Sequence, residues 1–120
     1  MTLENRIMDT LEYHFDDRCA TIVMSRALLD ELGAKVEDLE GIVSIPRRIE
    51  GVDVAVAFRE NPSGTYKISV RTGEKANASA ICENFGGGGH VRAAGCNVPG
   101  PLEHAKELLL EAVRKELTGA

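Results

Sequence analysis

Apolar positions open the chain at helical spacing: Leu3, Ile7, Met8 and Leu11 share one stripe between Thr2 and Phe15, before the charged run Asp16-Asp17-Arg18. This spacing predicts a first helix over residues 2–15. Cys19-Ala-Thr-Ile-Val-Met-Ser25 is a short apolar run with β-branched residues and the length of a strand. Ser25 is placed to cap a short helix through Leu28, Leu29 and Leu32, which Gly33 closes. From Val36 to Ile49 the positions Leu39, Ile42, Val43 and Ile49 predict another helix, kinked or restarted at Pro46.

The period changes at Gly51. Val52, Val54, Val56 and Phe58 alternate with Asp53, Ala55, Ala57 and Arg59, the alternation of a strand, and the alanines predict that both its faces are covered. Asn61-Pro-Ser-Gly64 is a turn, and residues 65–72 return as a second strand with Tyr66, Ile68 and Val70 on one face. Lys67, Ser69 and Arg71 therefore share the other face. Asn77 can cap a helix whose Ala78, Ile81, Cys82 and Phe85 form one stripe and which Gly86 ends. A small-residue strand is predicted over 91–98, and Pro99-Gly-Pro101 leads into a last helix. Its buried face is Leu102, Ala105, Leu108, Leu109, Ala112, Val113 and Leu117, with His104 among the solvated glutamates Glu103, Glu107 and Glu111.

Composition narrows the class. At 120 residues, 43% hydrophobic and 28% charged, the chain fits a single small domain, and the absence of Trp makes its core aliphatic. Three cysteines without a C-x-x-C spacing argue for buried thiols rather than a disulfide framework or a zinc site. A net charge of −5 excludes a domain that coats nucleic acid by bulk electrostatics, so an anionic ligand must be captured by a local cluster. No apolar run reaches the length of a membrane span and the first residues lack a signal-peptide core; a cytoplasmic protein with no membrane partner is expected.

The candidate chemistry lies in Asn84-Phe-Gly-Gly-Gly-Gly-His-Val-Arg-Ala-Ala-Gly95. Four consecutive glycines are costly to order, and a flexible linker rarely carries His, Arg and a small apolar triplet directly afterwards. Following a helix rather than a strand, the run is neither a Rossmann fingerprint nor a Walker A loop. Without Cβ atoms, Gly86, Gly87, Gly88 and Gly89 allow successive backbone amides to turn inward as an anion-binding concavity. His90 adds an imidazole and Arg92 a fork of donors, while Ala93, Ala94 and Gly95 keep the adjacent wall shallow enough for a base or sugar.

Gly86-Gly-Gly-Gly-His90 with Ala93-Ala-Gly95, preceded by residues 49–60 and by Ser69-Val-Arg71, resembles the DHH-associated C-terminal domain of DHH-family phosphoesterases, of the bifunctional type acting on short oligoribonucleotides and 3′-phosphoadenosine 5′-phosphate. The resemblance covers roughly Cys19 to Leu117. It implies an α/β (α+β) fold, a mixed β-sheet flanked by helices, with residues 19–120 as the substrate-binding domain and 1–18 as a linker helix from an N-terminal DHH lobe. It also implies that the glycine loop and His90 grip a substrate phosphate, that Arg71 approaches the nucleotide, and that Ser69 is the serine of the family's S-x-R. The substrate-binding set is thus Ser69, Arg71, Gly87, Gly88, Gly89, His90, Arg92, Ala93 and Ala94.

No Asp-His-His triplet occurs here. Tyr13-His-Phe-Asp-Asp17 is not that motif and is expected to be an exposed helix end. The resemblance therefore implies that catalytic residues and two manganese ions belong to the lobe outside this chain, and that its partners are that lobe and a short RNA or nucleotide. A nucleotide-sensing or RNA-end-binding module without catalysis, and a dimerisation domain with a purely structural glycine loop, remain as alternatives, and a homodimer stays open.

Overall fold

The structure, a computed structural model, describes residues 2–119. Its central strand β4 (Tyr66–Thr72) buries Tyr66, Ile68, Val70 and Thr72 and leaves Lys67, Ser69 and Arg71 half-buried, so alternation along one strand separates a core face from a polar one. Around it stand β1 (Glu12–His14), β2 (Cys19–Met24), β3 (Val54–Glu60), β5 (Gly88–His90) and β6 (Ala93–Val98), with helices α1 (Leu3–Met8), α2 (Arg26–Glu31), α3 (Val36–Glu40), α4 (Ala78–Glu83) and α5 (Leu102–Thr118). The six-stranded sheet has the order β1-β2-β3-β4-β6-β5. Only β2 and β3 run parallel; every other pair is antiparallel. This is the mixed sheet of an α/β fold.

One face of the sheet is closed from β3 to β6. Val54, Val56, Phe58, Ile68, Val70, Cys96 and Val98 pack against Ala78, Ile81 and Cys82 of α4 and Ala105, Leu109, Ala112 and Val113 of α5. The opposite face is closed over its β2–β3 half alone, where Ile22, Met24 and Ala57 pack beneath Ile7 of α1, Leu29 of α2, Leu39 of α3 and the following Ile42 and Val43. The register carries that face onward from Ala57 to Ser69, Gly95 and Gly88. Beyond β3 this apolar cluster contributes no residue. Half of one sheet face is left open, and it is floored by the small and cationic positions of β4, β6 and β5.

Three sequence expectations change. The helix predicted over 2–15 stops at Met8. Thr10 turns the chain there: its hydroxyl donates to the Ile7 carbonyl at 2.6 Å and accepts from the Val23 amide at 2.7 Å, tying the helix end to β2. Glu12, Tyr13 and His14 then pair with Thr21, Ala20 and Cys19, and Phe15, Asp16 and Asp17 make the hairpin turn with φ of 56°, 57° and 65°. The segment expected to be an exposed helix end is thus an edge strand and its turn. Ile7 is fully buried.

The helix predicted over 36–49 is divided into α3 and two single 3-10 turns, Ile42–Ser44 and Pro46–Arg48. Gly41 and Pro46 interrupt it, the second because proline supplies no amide to continue the ladder. The predicted strand over 91–98 begins at Ala93, and Val91 and Arg92 turn back to Gly88–His90, which pairs with it as β5. Half of the glycine run is therefore strand rather than loop. The helices capped by Ser25 and Asn77 form as expected, with Ser25 Oγ accepting from the Leu28 amide and Asn77 Oδ1 from the Ala80 amide.

Candidate functional site

A cleft of about 660 Å³ lies over the open half-face. Its floor is Lys67, Ser69 and Arg71 of β4, Ala93, Ala94 and Gly95 of β6, and Gly88 and Gly89 of β5; Arg59 at the end of β3 stands beside it. Val36, Leu39, Glu40 and Val43, from α3 and the turn after it, form the wall. Three cations face a single carboxylate in this lining. Among the described residues no carboxylate pairs with Arg59, Lys67 or Arg71. Arg71 makes one short-range bond, from Nη1 to the Val70 carbonyl at 3.2 Å. Unpaired guanidinium and ammonium groups over a floor of small residues form a place for an anion that a net charge of −5 would not announce.

The structure brings six of the nine sequence-derived site residues to this lining: Ser69, Arg71, Gly88, Gly89, Ala93 and Ala94. Gly87 is placed behind them. Its amide donates to the Cys82 carbonyl at 3.1 Å and the Gly86 amide to that of Glu83 at 3.2 Å, so these two amides finish α4 and are not turned inward. Of the expected four-amide concavity, the Gly88–Gly89 part alone reaches the cleft. These two lie on the outermost strand of the sheet, where every second amide faces away from the neighbouring strand.

His90 and Arg92 lie outside the lining. Arg92 is engaged elsewhere, with Nη1 donating to the Ala76 carbonyl at 2.8 Å. His90 is exposed, but the register sets it in one row with Ala93 and Arg71, about 10 Å from Arg71 across two strand spacings. Only the methyl of Ala93 stands between them. The Arg92 amide donates to His90 Nδ1 at 3.1 Å, which makes Nδ1 the acceptor and places the proton of the neutral ring on Nε2. The row thus offers a guanidinium and an outward N–H donor on either side of a shallow gap.

Sequence reasoning left Lys67 and Arg59 out of the site. The signal was present in the alternation, which sets Lys67 on the face of Ser69 and Arg71 and Arg59 on the face of Ala55 and Ala57; the register then pairs Arg59 with Lys67. The cysteines take no part. All three are free and buried, burial pushes the Cys19 thiol up to about 12, and a hydrogen bond to Cys96, then burial, raises Cys82. No three His, Cys, Asp or Glu side chains are grouped to hold a metal ion among the described residues, and none of the described helices is long and apolar enough to cross a membrane.

The described residues form an α/β domain with an open, cationic half-face of its sheet. Residues 19–119 match the DHHA1 domain, and the chain belongs to that family. A bifunctional oligoribonuclease and PAP phosphatase, NrnA, from Thermus thermophilus is 37% identical over 119 residues, which are 98% of this chain and 35% of that protein. A probable enzyme of the same description from Streptococcus mutans is 30% identical over 78 residues, 65% of this chain and 25% of that protein. An exopolyphosphatase-related protein from Bacteroides fragilis superposes with a TM-score of 0.86 at 28% identity, over 94% of this chain and 33% of that one. The chain spans about a third or less of the length of the curated relatives it matches.

Proposed function

We propose that this chain is the substrate-gripping domain of a DHH-family phosphoesterase that hydrolyses short oligonucleotides, 3′-phosphoadenosine 5′-phosphate, or both. The observation that carries this reading is the cleft itself: Arg59, Lys67 and Arg71, none paired to a carboxylate among the described residues, stand around Ser69, Gly88, Gly89, Ala93 and Gly95 on the half of one sheet face that the apolar cluster of α1 to α3 leaves open. The names of the Thermus thermophilus and Streptococcus mutans relatives support the substrate class. In this reading Arg71 neutralises a substrate phosphate, Ser69 and the one outward-facing amide of the Gly88–Gly89 pair donate to its oxygens, and His90 Nε2 closes the row from the far side. The apolar wall of Val36, Leu39 and Val43 receives the base. It makes no base-specific hydrogen bond, which suits an enzyme that shortens RNA of any sequence.

Among the described residues no group of side chains fits a metal ion. Manganese, the ion this family implies, then belongs to an adjoining DHH lobe that closes over the cleft, and this domain contributes binding and orientation of the phosphate. Amide chemical-shift titration of the 120-residue chain tests the reading, because it detects affinities into the millimolar range. With 3′-phosphoadenosine 5′-phosphate and with a dinucleotide, the moving amides are expected to be those of residues 69–71, 88–90 and 93–95. Arg71→Ala should weaken binding by about 10- to 100-fold, the scale of a hydrogen bond to a charged group, and leave the melting temperature nearly unchanged, since Arg71 holds only its neighbour's carbonyl. Shifts confined to other surfaces, or unaltered affinity in Arg71→Ala, would overturn it.

A further inference from the structure

The two sides of the cleft are held in place by different forces. Its floor strands pair with one another along their lengths. Among the described residues, by contrast, no backbone hydrogen bond of residues 35–52 reaches beyond that segment. The wall belongs to it, and Leu39, Ile42 and Val43 rest on Ile22, Met24 and Ala57 through apolar contact, which is not directional. Arg47, in the 3-10 turn Pro46–Arg48, crosses from this segment to the sheet. Its Nη1 donates to the Val52 carbonyl at 3.2 Å, just ahead of β3, and its guanidinium lies on Gly73. A Cβ at Gly73 would run into Nη2 and come within 2.8 Å of Cζ and 3.1 Å of Nε. Gly73 still pairs beyond the end of β4, its amide donating to the Asp53 carbonyl at 3.0 Å, so alternation makes it the next position in the row of Lys67, Ser69 and Arg71. Arg47 thus fills, from the wall segment, the side-chain space one step past Arg71 on the same face. Its Nε is buried without an acceptor, and no carboxylate pairs with it among the described residues. A buried donor without an acceptor is costly, so the guanidinium is seated by the missing side chain of Gly73 rather than by a full set of partners.

We propose that Arg47 is a positioning residue for the cleft: seated on Gly73, it fixes the apolar wall of Val36, Leu39 and Val43 against the Arg71 row and so sets how well a base packs there. This rests on the reading of the cleft as a nucleotide site and adds the residue that holds its two sides together. Arg47 is not part of the lining and acts without touching the ligand. The phosphate grip depends on Arg71 and on floor strands whose pairing does not involve Arg47. Base binding and phosphate binding therefore respond differently to its loss.

The test compares adenosine 5′-monophosphate with ribose 5-phosphate, which differ by the base alone, titrated into the 120-residue chain and its Arg47→Lys and Gly73→Ala variants with amide shifts as readout. Arg47→Lys keeps the charge and loses the planar fork, while Gly73→Ala disturbs the same contact from the other side. The wild type should bind the adenosine ligand about tenfold more tightly, the scale of a modest apolar area buried by the base. In both variants that ratio should fall to about threefold or less, with ribose 5-phosphate affinity kept within about twofold, because the charge and the floor are retained. A lower melting temperature fits any structural role, whereas the ratio, measured well below melting, moves only if the wall has shifted against the floor. If Gly73→Ala does not fold, Arg47→Lys decides alone. A wild type without a base preference, or an Arg47→Lys variant that keeps the ratio or weakens both ligands equally, would overturn the positioning role and leave the phosphate site standing. A wild type that binds neither ligand would remove the nucleotide site and the role of Arg47 together.

Discussion

Gly87 has no room for a side chain: a Cβ there would lie against the Gly95 carbonyl oxygen and 2.6 Å from Cys96 Cβ. Gly87→Ala is therefore expected to lower stability by about 1–3 kcal/mol through overpacking where α4 meets β6, measured as a shifted denaturant midpoint at unchanged slope. Full stability would show that the two backbones can part. The four glycines are alike in the sequence and differ in the fold. Gly86 turns the helix end at φ 77° with open space around it, Gly87 is compressed, and Gly88 and Gly89 are edge strand. That glycines were needed was legible; that Gly87 and Gly89 are the two with no room for a side chain was not, because the close approach is to Gly95 and Cys96 at the first and to Ala93 and Ala94 at the second, neighbours set by tertiary packing. Buried Cys19 carries a second expectation. Its thiol is raised from 9.0 to about 12 by burial, so the folded chain holds a proton that the unfolded chain releases from about pH 9. The stabilisation is fully present below pH 9 and is lost as pH rises toward 12. The melting temperature should fall across that window, and Cys19→Ala should blunt the fall relative to its own value at pH 7. An identical pH profile in the variant would deny Cys19 the effect.

Among elements, period was the strongest signal wherever one face is buried. The alternation of β3 and β4 put Lys67, Ser69 and Arg71 on one face without any structure, and the stripe of α5 is the buried set Ala105, Leu109, Ala112 and Val113. Short elements escaped for a physical reason. Three-residue β1 and β5 are strands because a neighbour pairs with them, and pairing at a distance leaves no local pattern. The same holds for the bond that ties α5 to α4, in which Glu116 Oε2 accepts from the Asn77 amide at 2.7 Å, just before the helix that Asn77 caps with its own side chain. On the α5 surface Glu116 looks like one more solvated acid. Glu116→Ala should cost about 1–2 kcal/mol, the scale of a hydrogen bond to a charged group in a part-buried place. Surface neighbours such as Glu103→Ala should cost less than about 0.5 kcal/mol. Equal small losses at both positions would reduce the Glu116 contact to an exposed one.

For the whole molecule, the charge balance and the site oppose each other. A chain of net charge −5 repels a long polyanion, while the open half-sheet gathers Arg59, Lys67 and Arg71 against one glutamate. Helices α1 to α3 settle on the β2–β3 half of that face because Ile22, Met24 and Ala57 offer apolar contact there. They stop where the register passes to Ser69, Gly95 and Gly88, which offer none. Uneven covering of one sheet thus leaves a cationic cleft on an acidic body, and two binding behaviours should separate as a result. Affinity for adenosine 3′,5′-bisphosphate should fall by about tenfold between 0.05 and 0.5 M salt, as the screening length shortens below the span of the cleft. A long duplex should show no retardation at either salt, since the net charge of −5 repels its backbone. Titration at the two salts with the wild type and Arg71→Ala, alongside gel retardation of the duplex, measures both. The variant should show a shallower dependence, having one charge fewer at the site. Salt-independent binding of the bisphosphate would mean that the base and the apolar wall of Val36, Leu39 and Val43 carry the affinity, and strong duplex retardation at low salt would place the anion-binding surface outside the cleft.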